Sequence, residues 1–205
     1  MKALHKPNLF SWSVFNEERD VDFHSVFWLR PQGNVAIDPL PLSAHDRGHV
    51  EALGGVKEIV ITNSDHARAS AQLALDTGAR LWGPALELGA LAPLDVHGAK
   101  DGDEPFPGLS VVELHGSKTP GELALLLEGH TLVIGDLVRG QRAGRLNLLP
   151  DAKLKDRTRA LESLRKLTEL TSVDAVLVGD GWPVFHGARH ALTALLIELE
   201  GPERP

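Results

Sequence analysis

The sequence predicts an α/β domain in which helices cover the β-sheets. Three observations predict this class: short β-branched apolar runs, intervening segments with apolar residues at helical spacing, and Gly/Pro turns between the segments. The chain has 205 residues, which is enough to bury a substantial core. We expect one domain over residues 1–200 and a disordered tail over residues 201–205.

The first half of the chain predicts strands and then alternating helices and strands. Two apolar runs separated by the turn sequence PQG predict a hairpin. A serine marks the start of the first helix, and glycines mark the ends of both helices. The predicted elements are strands over residues 23–30 and 34–39, a helix over 43–55, a strand over 57–62, a helix over 67–78 and a short strand over 79–84.

The second half predicts a β-meander followed by a helix, a strand and a helix. Glu128-Gly129-His130 separates two apolar runs and is the predicted central turn of the meander. The predicted elements are strands within residues 109–116 and 122–136, an amphipathic helix over 151–170, a buried strand over 174–181 and a final helix over 187–200. No linker divides the chain.

Composition excludes several functional classes. The net charge is −7 and the basic residues are scattered, so we expect no nucleic-acid partner. Without cysteine the chain has no disulfides and no thiolate metal ligands. The N-terminal residues lack the apolar segment of a signal peptide, and no apolar run has the length of a membrane span. We therefore expect a cytoplasmic protein that does not insert into membranes.

Polar side chains follow four of the predicted strands. Asp65 and His66 follow EIVIT, Asp136 follows TLVIG, Asp180 follows AVLVG, and the loop with Lys118 follows VVEL. Functional groups gather at such positions, because a rigid strand fixes the side chain while the loop exposes it. If the four strand ends share one side of the fold, these five residues form one site.

Each of these polar segments also has a purely structural interpretation. Ser64 and Asp65 are suitable caps for a helix that starts at Ala67, because short polar side chains accept its free N–H groups. Thr119-Pro120-Gly121 is a turn sequence by itself, and Asp136 and Asp180 each follow a glycine as in an ordinary strand-ending turn. The combination of all the pieces favours a site.

The chain resembles the metallo-β-lactamase superfamily from about Phe23 to the final helix. The resemblance rests on the order AIDP, which supplies Asp38, then IVITNSDH, SKTPGE, VIGD and LVGDG. It implies a four-layer αββα sandwich built from two similar halves, with the site at the sheet edges. It also implies that ligands for two metals come from these loops.

The departures from the family pattern concern the metal ligands. Ile61, Asn63 and Lys118 stand where the family has the three histidines of its first metal site. The second site keeps three ligands and has an aspartate in place of the last histidine; its residues are Asp65, His66, Asp136 and Asp180. The resemblance thus implies at most one metal, with Lys118 in place of a first-site ligand.

The ligand types bear on the identity of that metal. One imidazole with three carboxylates is rich in oxygen, so Mn, Fe(II) or Mg becomes an alternative to Zn. A divalent cation and the Lys118 ammonium would together balance the three carboxylates. The alternative is a site without metal, in which Lys118 forms a salt-bridge cluster with Asp65, Asp136 and Asp180. Both interpretations stay open at this point.

The first functional hypothesis is a metal-dependent hydrolase of a small ester, thioester, lactone or phosphoester. Asp65 would orient the metal-bound water or act as a base, and Lys118 would stabilise an oxyanion. Asn63, Arg139 and Arg142 are the candidate substrate-binding residues, and the arginines would suit an anionic small molecule. A true β-lactamase is not expected, because the three-histidine set is missing.

The second hypothesis is a non-catalytic, metal-free binding or interaction protein that kept the fold. The loss of the first-site histidines favours it, and the retained second-site residues favour the hydrolase. The apolar final helix would either pack on the core or form a homodimer surface. Nucleophilic hydrolysis has no support, because the chain lacks both a Gly-x-Ser-x-Gly elbow and cysteine.

Overall fold

The computed structural model describes residues 1–201, and the chain divides into two compact units, Met1–Ala99 and Lys100 onwards. Each unit is described by itself. The expectation of a single domain over residues 1–200 stays a prediction. The prediction of a disordered tail falls mostly on residues 202–205, which lie outside the described residues.

Within residues 1–99, seven strands form one sheet in sequence order. The first four strands pair antiparallel, and the last four, from β4 to β7, pair parallel. The strands are β1 (Lys2–Ala3), β2 (Leu9–Asn16), β3 (Val21–Trp28), β4 (Val35–Ile37), β5 (Glu58–Val60), β6 (Arg80–Pro84) and β7 (Val96–Ala99). The helices are α1 (Ala44–Ala52), α2 (Ser70–Thr77) and α3 (Leu88–Leu91).

Local sequence explains where the helices of this unit begin and end. The hydroxyl of Ser43 accepts a hydrogen bond from the backbone N–H of Asp46 and caps α1, as predicted. Gly78 ends α2 in the left-handed conformation that glycine adopts without strain. The sheet is buried through apolar side chains such as Phe27 and Ile59. Their burial fixes the register of the strands that lead to the candidate site.

Several sequence predictions for this unit are confirmed and one is wrong. The hairpin around PQG exists as the antiparallel pair β3 and β4. Strands β2 and β7 lie outside the predicted elements. Ser64 and Asp65 do not cap α2: they lie in a separate 3-10 turn (Ser64–His66), and among the described residues no side chain caps α2 at Ala69. This 3-10 turn follows β5 and precedes α2, which starts at Ser70 and not at the predicted Ala67.

Within residues 100–201, four strands form a sheet in the order β13-β10-β9-β8, and two more form a hairpin. The sheet strands are β8 (Leu109–Leu114), β9 (Glu122–Leu127), β10 (Thr131–Ile134) and β13 (Ala175–Val178). The hairpin strands are β11 (Val138–Arg142) and β12 (Arg145–Leu148). The helices are α4 (Arg157–Thr168) and α5 (Ala188–Glu200).

The second unit confirms most of the predicted elements. Glu128 and Gly129 both have positive φ and form the turn between β9 and β10. Helix α4 begins later than predicted, because the side chain of Asp156 caps it by accepting from the N–H of Arg159. The β11–β12 hairpin was not predicted, and it places Arg139 on a strand where a loop was expected.

Helices α4 and α5 cover the four-stranded sheet with a shared apolar cluster. Leu164 of α4 and Leu192 of α5 are fully buried in this cluster, which also includes Ile134 and Val176 of the sheet. The helical spacing of these leucines is the pattern that predicted both helices. Among the described helices, none combines the length and the hydrophobicity needed to cross a membrane.

Candidate functional site

In the first unit, the segment after β5 carries the predicted Asp-His pair. Asn63 is fully buried, the 3-10 turn follows it, and the turn places Asp65 at the surface and His66 inside. The two halves of the pair therefore lie in different environments. Only the imidazole is buried among groups that can fix its orientation.

Asp38 fixes the imidazole of His66. Its oxygen Oδ2 lies 2.7 Å from Nδ1 of His66 and accepts from the hydroxyl of Thr62 at 2.6 Å, while Oδ1 accepts from the N–H of Thr62 at 2.7 Å. Asp38 has a φ of 47°, a left-handed conformation that aspartate tolerates better than most residues. We assign the ring proton to Nδ1, which donates it to this carboxylate, and the lone pair to Nε2.

Arg68 lies against that lone pair. Its NH2 nitrogen is 3.3 Å from Nε2 of His66, and its NH1 nitrogen donates to the backbone oxygens of His24 at 2.7 Å and Asp38 at 3.1 Å. The guanidinium also lies 5.6 Å from the ring centroid of Phe23, within the range of a cation–π contact. These contacts hold a positive charge at the nitrogen that would ligate a metal.

In the second unit, the predicted lysine and aspartates lie in one ion-pair cluster. Nζ of Lys118 is 2.8 Å from Oδ2 of Asp136, and NH2 of Arg139 is 2.7 Å from Oδ1 of the same carboxylate. NH1 of Arg139 is 3.0 Å from Oδ2 of Asp180. Arg139 thus bridges both aspartates, and Lys118 contacts one of them.

Two glycines bring Asp180 to Arg139. Gly140 and Gly181 form an isolated bridge, and the N–H of Gly140 donates to the backbone oxygen of Asp180 at 3.1 Å. A Cβ on Gly140 would lie 1.9 Å from the oxygen of Trp182, and one on Gly181 would lie 2.3 Å from the oxygen of Gly140. The strand β11 can approach the loop after β13 only because both positions lack a side chain.

Glu122 lies fully buried at the start of β9 and ties the two loops of the cluster together. It accepts from the hydroxyl of Ser117 at 2.7 Å and from the backbone N–H groups of Asp136 and Leu137 at 2.8 and 3.0 Å. Burial raises its pKa to about 7, and the negative charge of Asp136 adds to the increase. Glu122 therefore positions Ser117, the residue before Lys118, and the turn that carries Asp136.

The predicted site residues divide between the units. Lys118, Asp136 and Asp180 lie together in the second unit, and Arg142 lies exposed farther along β11. The first unit holds the remaining predicted residues, which are Asn63, Asp65 and His66. That the two sets form one metal site is implied by the family resemblance and stays a prediction, as do the substrate-binding roles of Asn63, Arg139 and Arg142.

Sequence reasoning missed the part that Arg68 and Glu122 play. Glu122 opens the apolar run ELALLL directly after the Thr-Pro-Gly turn. A carboxylate at the start of a buried strand needs internal hydrogen-bond partners, and this could have identified it. Arg68 gave no comparable signal, because a single arginine after a loop is usually exposed. Its role depends on the left-handed backbone at that position, with a φ of 40°.

The donor atoms fit a cluster of internal cations better than a metal ion. His66, Asp136 and Asp180 are buried and of metal-ligating types. However, both oxygens of Asp136 already contact positive groups, and Nε2 of His66 faces a guanidinium. A divalent cation beside any of these atoms would be repelled by the positive group already there, because like charges at such distances repel strongly when buried.

The chain is similar to a known family and to solved structures. A family model described as "Metallo-beta-lactamase superfamily" matches residues 1–199. A search of curated proteins finds no match.

Solved structures with the same fold include proteins from bacteria and archaea. A metallo-β-lactamase family protein from Thermus thermophilus is 17% identical, with 95% of this chain and 80% of that chain covered and a TM-score of 0.71. A superfamily protein from the archaeon Sulfolobus tokodaii is 17% identical, with 97% and 88% covered and a TM-score of 0.71. DIM-1 metallo-β-lactamase is 14% identical, with 98% and 97% covered and a TM-score of 0.74. These similarities confirm the predicted fold class.

Proposed function

This chain belongs to the metallo-β-lactamase superfamily, whose members normally bind divalent metals, but we propose that it is itself a metal-independent and non-hydrolytic binding protein. Its fold is shared with hydrolases, and its second unit keeps aspartates at two positions of the family's metal loops. In this proposal the chain's own cations occupy the place of the metal, so no metal-activated water is produced.

One observation carries the proposal. The carboxylate of Asp136 is 1% exposed, and its two oxygens contact Lys118 and Arg139 at 2.8 and 2.7 Å. A buried carboxylate with two cationic partners needs no further positive charge. An aspartate that ligates a metal offers at least one oxygen to it, and here both oxygens already have partners of the required charge.

The ligand that fits this proposal is a small anion. The side chain of Lys118 is 24% exposed, whereas Arg139 and Asp136 are almost fully buried. A partly exposed ammonium in an otherwise closed cluster can meet an anion from solvent without breaking the Arg139 bridge. Arg142, exposed farther along β11, is a second candidate contact for the anion.

The second candidate function is the one-metal hydrolase. The observation that favours it is the hydrogen bond between Asp38 and Nδ1 of His66, because metal-ligating histidines usually donate their other ring nitrogen to a carboxylate. In that case the ligand set that the family resemblance implies would hold Zn, Mn or Fe(II), and Asp65 and Lys118 would have the roles of base and oxyanion partner that the resemblance implies. The substrate would be an ester, thioester, lactone or phosphoester.

Turnover measurements separate the two candidates. The purified protein is assayed against carboxylic esters, thioesters, lactones and phosphodiesters, with Zn, Mn or Fe(II) added in turn. The Lys118→Ala variant, which removes the oxyanion partner of the hydrolase alternative, is assayed in parallel. We expect no metal-stimulated turnover by the wild-type protein. Turnover that requires one of these metals, and that Lys118→Ala reduces, would instead establish the hydrolase.

A further inference from the structure

Two buried carboxylates lie close together in the second unit. Asp136 and Asp180 are 1% and 3% exposed, and a carboxylate oxygen of each lies within 4.8 Å of the other. Two ionised carboxylates at this separation repel each other, and burial strengthens the repulsion. A protein can keep such a pair ionised only by placing positive charge between or beside the two groups.

Arg139 supplies that charge in the geometry of a bridge. One terminal nitrogen contacts Asp136 and the other contacts Asp180, and Nε donates to the backbone oxygen of Asp136 at 3.3 Å. The guanidinium therefore holds one carboxylate at each terminal nitrogen of its planar fork, a geometry that a lysine ammonium does not have. Lys118 adds a second cation at Oδ2 of Asp136, whereas the NH2 nitrogen of Arg139 contacts Oδ1.

The charges of these four side chains sum to zero. Two aspartates carry two negative charges, and Lys118 and Arg139 carry two positive charges, the same total as a divalent cation. A metal would thus bring positive charge that Lys118 and Arg139 already supply to the two aspartates. In the first unit a cation likewise lies at a metal-ligating type of atom, because the guanidinium of Arg68 faces the Nε2 lone pair of His66.

We propose that Arg139, together with Lys118, is a resident substitute for a divalent metal between Asp136 and Asp180. Removal of these two cations then converts the second unit from metal-independent to metal-dependent folding. This inference rests on the proposed metal independence of the wild-type protein. It goes further, because it states that a divalent metal could take over the role of these two side chains once they are removed.

The test compares thermal unfolding of the wild-type protein with that of a double variant, Lys118→Met with Arg139→Met. Methionine keeps much of each side chain's length and removes its charge. We expect the melting temperature of the double variant to fall by about 10 °C, because two buried carboxylates lose their partners. Added MnCl2 or ZnCl2 should restore about 5 °C or more at a concentration one hundredfold above its dissociation constant.

Two controls make the outcome specific. Arg142→Met removes an exposed cation from the same strand and should neither lower the melting temperature nor create a response to metal. A quadruple variant, which adds Asp136→Asn and Asp180→Asn to the double, removes all four charges. It should fold without metal and show no response to MnCl2 or ZnCl2.

Each result distinguishes the inference from the proposed function. A double variant whose stability no metal improves contradicts the inference, even if the wild-type protein is metal-free. The same holds if the double variant is insoluble with every metal while the quadruple variant folds. A wild-type protein that MnCl2 or ZnCl2 stabilises, or that a chelator destabilises, contradicts the proposed function instead.

Discussion

The two units differ in what surrounds the residues at the family's metal-ligand positions. In the first unit His66 lies in a hydrogen-bond network, in which Asp38 accepts from Thr62 and fixes the imidazole. In the second unit Asp136 and Asp180 lie in an ion-pair cluster with Arg139. The first arrangement preserves the orientation that a metal-ligating histidine needs. In our proposal the second supplies the positive charge that a metal would otherwise bring.

In our proposal the two units differ in how strongly their cations oppose a metal. Arg68 contacts Nε2 of His66 at 3.3 Å through one nitrogen, and its guanidinium is held mainly by two backbone oxygens. Arg139 contacts two buried carboxylates at 2.7 and 3.0 Å. We therefore expect the loss of Arg139 to lower stability more than the loss of Arg68.

Substitution of Arg139 should give the largest effect on stability. Arg139→Met removes one cationic partner of Asp136 and the guanidinium contact of Asp180. We expect the free energy of unfolding to fall by about 3–5 kcal/mol, the usual cost of removing one partner of a buried ion pair. Chemical denaturation measures it. Arg142→Met is the matched control and should change stability by less than about 0.5 kcal/mol. An equal effect of both substitutions would contradict the bridging role.

The pH dependence of stability should report Glu122. Its pKa is raised from 4.5 to about 7 in the folded protein, so the folded state binds the proton more tightly than the unfolded state does. The contribution is stabilising below pH 4.5 and is lost as the pH rises through about 7. Relative to Glu122→Gln, wild-type stability should fall by about 3 kcal/mol between pH 4 and pH 8. Parallel stability curves would show that the carboxyl titrates normally.

Replacement of Asp38 should have an intermediate effect in the first unit. Asp38→Asn keeps a side chain that tolerates the left-handed backbone, but its amide N–H₂ cannot accept from both Thr62 and His66. We expect a loss of about 2 kcal/mol, together with a change of the His66 tautomer, because charge-assisted hydrogen bonds are lost. Denaturation and ¹⁵N NMR of the imidazole measure the two effects. An unchanged tautomer would mean that Asp38 does not orient the ring.

Arg68→Met should give the smallest effect. The variant loses one contact to His66 and two hydrogen bonds to backbone oxygens, all only partly buried. We expect a loss of about 1 kcal/mol and a changed ¹⁵N shift at Nε2 of His66. A loss as large as that of Arg139→Met would remove the proposed difference between the two units.

The sequence predicted most elements of the fold for a clear physical reason. Strands such as β5 and β13 are buried on both faces, so they appear as continuous apolar runs between turns. The hairpin of β11 and β12 lacks this pattern, because two of the five residues of β11 are exposed and its first three are buried by other contacts. Its sequence therefore resembles a loop.

The candidate site was predictable only in part. The positions of Lys118, Asp136 and Asp180 followed from strand ends and from the family resemblance, and the structure places Nζ of Lys118 2.8 Å from Oδ2 of Asp136. The bridge through Arg139 could not be predicted, because it needs Gly140 to approach the loop after β13. A close approach between segments that lie far apart in the sequence leaves no local pattern.

The metal content of the wild-type protein tests the central claim most directly. The protein is expressed in medium supplemented with zinc, manganese and iron, dialysed against metal-free buffer and analysed by plasma mass spectrometry. We predict that metal remains far below one equivalent per chain and that stability is unchanged by the dialysis. One equivalent of a divalent metal that survives dialysis would contradict the claim that Lys118 and Arg139 replace it.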